Sequence, residues 1–147
     1  MGTETTCKSY FCIIGEFQLS EITSLLGILN TAGHQIGDNK KYIQGQYDWS
    51  SWIYGSDVEE RRDADCQLEE VIEKLLSKVE ILKQIKQKYD CQFRITQVPI
   101  VENGECPALV FSPKVIDFCA QIGADIDIDL YVNPYPDENE LLTIDER

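Results

Sequence analysis

The chain has 147 residues, 43% of them hydrophobic and 27% charged, which is the size and balance of one globular domain with its own core. Its 26 acidic and 13 basic residues give a net charge of −13, which argues against direct binding to nucleic acid or an anionic membrane, because both are lined with phosphate. The same charge favours a basic protein as partner, and it leaves the oligomeric state open.

The first predicted elements are a strand and a helix. Residues 8–15 include the continuous apolar run Y-F-C-I-I, which is typical of a strand covered on both faces. Ser20 can cap a helix whose apolar residues recur at helical spacing over residues 22–29, and Gly27 is the predicted helix stop. A weak edge strand is a further option at residues 41–43.

A second clear strand is predicted over residues 47–54, and it carries large aromatic side chains on both faces. Trp52 and Tyr54 share one face, and Trp49 lies on the other, because successive side chains in a strand alternate. One face is expected to meet the core. The other is a candidate partner surface, since Trp and Tyr often anchor interfaces. We take Trp52 and Tyr54 as the candidate anchors.

The second half begins with the longest predicted helix, from Asp63 or Asp65 to about residue 89. A strand over residues 91–101 and a returning strand over 107–111 predict a hairpin.

The next helix starts at Ser112-Pro113, a capping hydroxyl followed by proline at the first helical position, and Gly123 closes it. The last strand is predicted over residues 125–132.

These elements predict an α+β fold, a two-layer sandwich with a mixed or antiparallel sheet and three helices. If the weak strand at residues 41–43 exists, the order matches a ferredoxin-like core with an added β-α-β unit. We expect an N-terminal extension over residues 1–7, a single domain over 8–133, and an acidic, mobile tail over 134–147. Eight acids and one base after residue 124 account for about half of the excess charge.

The layout resembles the domain of unknown function 4279 family, which is mainly bacterial. The resemblance lies in F-C-I-I-G-E-F-Q-L-S-E-I-T-S-L-L-G-I (residues 11–28), W-S-S-W-I-Y-G-S (49–56) and F-S-P-K-V-I-D-F-C-A-Q-I-G-A-D-I-D-I-D-L-Y (111–131). It implies a bacterial, cytoplasmic protein and supplies no catalytic residues. Some small acidic families of this kind act as immunity proteins beside secreted toxins, which is an analogy of size and charge.

Three aspartates alternate with apolar residues in the last predicted strand. Asp125, Asp127 and Asp129 share one face, with successive carboxylates roughly 7 Å apart. The face could hold a divalent metal, could simply be solvated, or could bind a basic partner. Metal is disfavoured because no ligand-shaping loop accompanies the stripe. Ile126, Ile128 and Leu130 are then expected to point into the core.

No catalytic motif is present. His34 is the only histidine and lies in a Gly-rich polar stretch, where we expect a solvent-exposed loop residue. The six cysteines contain no CxxC pair and are expected to be reduced and mostly buried. We therefore expect no catalytic, metal or cofactor site.

The leading hypothesis is a non-catalytic intracellular binding protein, specifically an immunity protein that neutralises a basic toxin domain. The candidate contact residues are Asp125, Asp127, Asp129, Trp52 and Tyr54. Two alternatives remain open: a carboxylate- or metal-assisted hydrolase that uses the aspartate stripe, and a regulatory module that binds a small molecule.

Overall fold

The computed structural model describes residues 4–55 and 66–134. The predicted helix starts Asp63 and Asp65 and most of the predicted tail lie outside this range. In chain order the described elements are β1 (Thr6–Gly15), α1 (Leu19–Leu26), β2 (Ala32–His34), β3 (Ser50–Tyr54), α2 (Gln67–Ile72), a 3-10 helix (Glu73–Lys78), α3 (Val79–Tyr89), β4 (Gln92–Glu102), α4 (Pro113–Ile122), β5 (Ala124–Ile128) and β6 (Tyr131–Asn133).

One mixed sheet organises the molecule. Its strands lie in the order β2-β3-β1-β4-β5, and β6 also pairs with β4. In the series β2-β3-β1-β4 each strand is antiparallel to its neighbour, whereas β5 and β6 run parallel to β4. The first part is a ferredoxin-like β-α-β-β-α-β arrangement, and α4 connects β4 to the added β5. The predicted α+β sandwich is confirmed.

Several predicted elements differ from the structure. The strand expected at 47–54 begins only at residue 50, the strand expected at 125–132 is divided into β5 and β6, and the longest predicted helix is divided into α2, the 3-10 helix and α3. The short edge strand is β2 at Ala32–His34, and residues 41–43 lie exposed in the following loop. The expected strand at 107–111 is absent, because after β4 the chain forms only a bridge between Glu102 and Glu105. There the Thr5 hydroxyl accepts from Glu102 N at 2.9 Å and donates to the carbonyl of Glu105, which fixes a turn.

The helix ends show which capping signals act. Ser112 accepts a hydrogen bond from Val115 N, and Gly123 closes α4 in the left-handed region at φ 66°, both as predicted. The Ser20 cap is wrong, because α1 already begins at Leu19. The Leu19 N–H instead donates to Gln35 Oε1 at 3.0 Å, so a distant side chain satisfies the first turn.

The helices pack against one face of the sheet and form the core. Phe11 of β1 lies at its centre, with ring centroids 6.5 Å from Trp52, 5.8 Å from Phe93 and 6.3 Å from Phe118. All four side chains are fully buried. Sheet and helices therefore meet through aromatic edge-to-face and tilted contacts, which add to the energy of burial.

The outer strand β5 is less buried than expected. Ile126 and Ile128 lie beside Ile95 and Gln97 on the helix side of the sheet, yet 41% and 43% of their surfaces remain exposed, and Leu130 is 56% exposed. The two isoleucines therefore face the helix side, as expected, but the expected burial in the core is wrong, because β5 is the last strand and no described element covers its far side.

Four of the six cysteines, Cys7, Cys12, Cys91 and Cys119, are buried, whereas Cys66 and Cys106 are exposed. All six lie in the described residues as thiols, not disulfides. Burial raises the pKa of each buried thiol to about 11. These four are therefore protonated and unreactive near neutral pH. No helix of the described residues has the length and apolarity needed to cross a membrane.

Two fully buried glutamine side chains differ in their hydrogen bonding. Gln97 is 0% exposed, and neither its Oε1 nor its Nε2 has a hydrogen-bond partner in the described part of the chain. Gln67, equally buried, donates from Nε2 to the Cys7 carbonyl at 2.8 Å and accepts from the Ser9 hydroxyl. An unsatisfied buried amide destabilises the folded state.

We therefore expect Gln97→Leu to raise the free energy of unfolding by about 1–3 kcal/mol, because it removes two unsatisfied polar atoms. The matched control Gln67→Leu should lower the free energy of unfolding by a similar ~1–3 kcal/mol, because it leaves the Ser9 hydroxyl and the Cys7 carbonyl without their hydrogen-bond partner. Urea unfolding of both variants measures the difference. Equal destabilisation by the two changes would show that Gln97 has a partner.

Candidate functional site

The second face of the sheet contributes no side chain to the core cluster of the described residues. Strand alternation points Tyr10, Cys12 and Ile14 of β1 away from the helices, opposite to Phe11 and Ile13. We define the open face by the side chains of Tyr10, Cys12, Ile14, Ile53, Arg94, Thr96, Val98 and Ile100. None of them belongs to the core cluster of the described residues, so within the described part of the chain only the opposite face of β1 packs into the core.

The centre of the open face is mostly apolar. Cys12 lies between Ile53 of β3 and Arg94 of β4, and Tyr10 lies beside Thr96. Cys12 and Thr96 are buried by their neighbours, whereas Tyr10 and Ile53 are half-buried. Burial raises the pKa of the Tyr10 phenol, which keeps it neutral as a hydrogen-bonding group. An apolar surface that no described helix covers is typical of interaction sites.

One border of the open face is acidic. Asp125 lies directly beside Arg94, and Asp127 beside Thr96, in the parallel ladder between β4 and β5. Asp129 follows, and its side chain accepts from the Tyr131 hydroxyl at 3.4 Å. All three aspartates are exposed. We call Asp125, Asp127 and Asp129 the acidic edge; it places three carboxylates next to the apolar centre.

The opposite border is aromatic. His34 of β2 lies opposite Ser51 and stacks on Tyr47 with ring centroids 3.5 Å apart. The Trp49 ring contacts the His34 ring edge-on, with centroids 5.5 Å apart. Lys40 Nζ lies 5.8 Å from the centre of the Tyr47 ring. We call His34, Tyr47 and Trp49 the aromatic edge; Trp49 is 39% exposed.

Burial lowers the pKa of His34, and its hydrogen bond to the Trp49 backbone opposes this. The imidazole is therefore neutral at physiological pH. The prediction of a solvent-exposed loop residue at this position is wrong, because His34 is half-buried in β2. The strand that contains His34 has only three residues, A-G-H. Such a segment is too short to show an alternating pattern, and its glycine weakens the strand signal, so the sequence does not predict it.

Four strand spacings, about 19 Å, separate the aromatic from the acidic edge. A surface of this width matches a protein partner better than a small ligand, which binds in concave pockets.

The five predicted contact residues do not lie together. The acidic edge lies on the open face, but Trp52 and Tyr54 lie on the helix side. Trp52 is 0% exposed and its Nε1–H donates to the Thr23 hydroxyl at 3.0 Å. Tyr54 is half-buried, stacks on Trp52 with centroids 6.1 Å apart, and lines a cavity of about 540 Å³ together with Lys74. Trp52 thus offers no surface to a partner.

The described residues hold no group of three or more His, Cys, Asp or Glu arranged to bind a metal ion. The carboxylates of the acidic edge follow one another along β5 and the residue just after it, whereas a hard cation needs oxygens that converge from several segments. The geometry therefore supports charge complementarity along the edge more than metal-assisted hydrolysis.

Comparison with known proteins gives one match. The family model of the domain of unknown function (DUF4279) matches residues 5–133. No curated protein and no solved structure matches the chain. The match begins at Thr5, which is buried beside β4, and ends at the last residue of β6.

Proposed function

The chain belongs to the domain of unknown function DUF4279 family, and we propose that it is a non-catalytic binding protein that captures a basic protein partner on the open face. The observation that carries the proposal is the arrangement of the sheet. Described helices cover one face only, and the other combines an apolar centre with a row of three carboxylates.

The open face has the composition of a protein interface. Interfaces generally place apolar and aromatic groups at the centre and polar groups at the rim. Here Tyr10 and Ile53 lie near the centre, the acidic edge forms one rim, and Trp49 contributes an aromatic group at the other. Trp and Tyr are frequent binding anchors, so Tyr10 and Trp49 are better candidates than the buried Trp52.

Charge supports a basic partner. The net charge of −13 creates an attractive field for a basic protein, and the acidic edge orients that partner next to the apolar centre. Two basic side chains oppose this locally. Arg94 lies beside Asp125, and Lys8, opposite Val98, lies on the same side of the sheet, so both reduce the negative charge near the face.

The partner class we propose is a toxin domain, which makes the chain an immunity protein that acts in the cytoplasm. A protein that neutralises a toxin by binding needs a complementary surface and no chemistry of its own. The acidic face, which no described helix covers, supplies such a surface, and the four protonated, buried thiols suit a reducing compartment.

Capture from a lysate of the native host at low salt tests the proposal. We expect the tagged chain to retain a basic protein that raised salt releases, because salt screens charges beyond ~8 Å. Val98→Lys, in the open face, should abolish capture, since it adds a positive charge to the binding surface. The matched control Ile116→Lys, on an exposed position of α4, should leave capture intact.

Two results would contradict the proposal: an acidic partner, or equal capture by the Val98→Lys and Ile116→Lys variants. The toxin assignment has its own test. The captured protein should arrest growth when expressed alone, and co-expression of this chain should restore it. A harmless partner would remove the immunity role and leave the binding role standing.

A further inference from the structure

The outer edge of β5 has no strand partner among the described residues. β5 is the last strand of the order β2-β3-β1-β4-β5, and no described strand pairs with its far side. An unpaired strand edge presents a row of N–H and C=O groups that can pair with another chain.

Backbone direction identifies which groups face outward. The Asp129 N–H donates to the Gln97 carbonyl of β4 at 2.8 Å. Successive residues of a strand direct their backbone N–H and C=O groups to opposite sides. The backbone groups of Asp125 and Asp127 therefore also point toward β4, while those of Ile126 and Ile128 point to the outer edge. An incoming strand would therefore pair with the backbone of Ile126 and Ile128.

Side chains on both faces of β5 remain available beside that edge. Asp125 and Asp127 are exposed on one face. Ile126 and Ile128 are 41% and 43% exposed on the other. A strand added here would thus meet carboxylates on one side of the sheet and partly uncovered isoleucines on the other.

We infer that the outer edge of β5 accepts an extended segment of the basic partner as an additional strand, a proposal that rests on the proposed function and names its mode of binding. The segment has basic residues at alternate positions, which lie beside Asp125 and Asp127, and apolar residues between them, which cover Ile126 and Ile128. Strand addition obtains affinity from backbone hydrogen bonds and specificity from alternate side chains.

A second copy of this chain fits the edge poorly. Pairing β5 with β5 of another copy places aspartates beside aspartates on one face, and like charges on neighbouring strands are destabilising. The other end of the sheet is also a weaker acceptor. β2 has three residues, and Gly33 in its middle has no side chain for an incoming strand to contact.

A capped peptide of alternating lysine and valine, titrated into the full chain, tests the inference. The matched control peptide has the same composition with its lysines and valines in two blocks. The alternating peptide should bind at least about tenfold more tightly, which corresponds to ~1.4 kcal/mol. Ile128→Pro should remove this preference because it deletes an outward N–H, whereas Ile128→Val should keep it.

Amide hydrogen exchange gives a test that needs no variant. On addition of the alternating peptide, the N–H groups of Ile126 and Ile128 should become protected, while that of Asp129, already bonded to β4, should change little. Unchanged exchange at Ile126 and Ile128, or equal binding of the two peptides, would overturn the inference. If it fails while Val98→Lys still abolishes capture, the open face remains the binding surface and only strand addition is removed.

Discussion

Replacing Trp52 with alanine is expected to lower the free energy of unfolding by about 3–5 kcal/mol, the usual range for a buried Trp or Phe changed to Ala. The indole is fully buried and meets Phe11 at 6.5 Å between ring centroids. Its Nε1–H donates to the Thr23 hydroxyl at 3.0 Å, so the change creates a cavity and also removes a hydrogen bond between β3 and α1.

Trp49→Ala is the matched control, because Trp49 is the other tryptophan and is 39% exposed. It should lower stability by less than about 1.5 kcal/mol, since its ring contacts lie on the surface. Urea unfolding followed by far-UV circular dichroism measures both variants. If Trp52→Ala proved as mild as Trp49→Ala, the sheet would face the opposite way and Trp52 would lie on the surface.

Neutralising the acidic edge is expected to slow association with the basic partner by about tenfold at low salt, because complementary charge accelerates encounter. The variant carries Asp125→Asn, Asp127→Asn and Asp129→Asn, all at exposed positions. Arg94→Gln is the opposing variant. It removes the positive charge beside Asp125 and should raise the association rate.

Stopped-flow association with the captured partner over a range of salt concentrations measures both effects. The difference between the two variants should shrink as salt rises, since screening shortens the reach of every charge. The dissociation rate should change less, because it depends mainly on the apolar contacts. An association rate that is the same in both variants at low salt would remove the role assigned to the acidic edge.

Local signals in the sequence predicted the elements that depend on local chemistry. Ser112-Pro113 and Gly123 set the two ends of α4, and the apolar run near Phe11 marked β1. Strand alternation also predicted that Trp52 and Trp49 face opposite sides of the sheet, although Trp49 lies just before β3. These features depend on capping, left-handed glycine and side-chain periodicity, all of which act within a few residues.

Features that depend on distant contacts could not be predicted in this way. The Leu19 N–H finds its partner in Gln35, and the turn after β4 is fixed by Thr5 from the other end of the domain. The open face itself is of this kind. Both faces of β1 carry apolar side chains, so only the placement of the helices decides that Phe11 is covered and Tyr10 is not.

Isoleucine methyl groups allow the binding surface to be mapped directly. Ile14, Ile53 and Ile100 lie on the open face, whereas Ile22 and Ile72 are buried in the core on the helix side. Each methyl gives a separate signal in a methyl NMR spectrum, so the two sets act as internal controls for each other.

Methyl NMR during titration with the captured partner is the most direct test of the claim that the open face is the binding surface. The account predicts that the signals of Ile14, Ile53 and Ile100 shift or broaden, while those of Ile22 and Ile72 stay in place. Changes confined to the exposed Ile116 on α4, with the open-face signals unmoved, would contradict it.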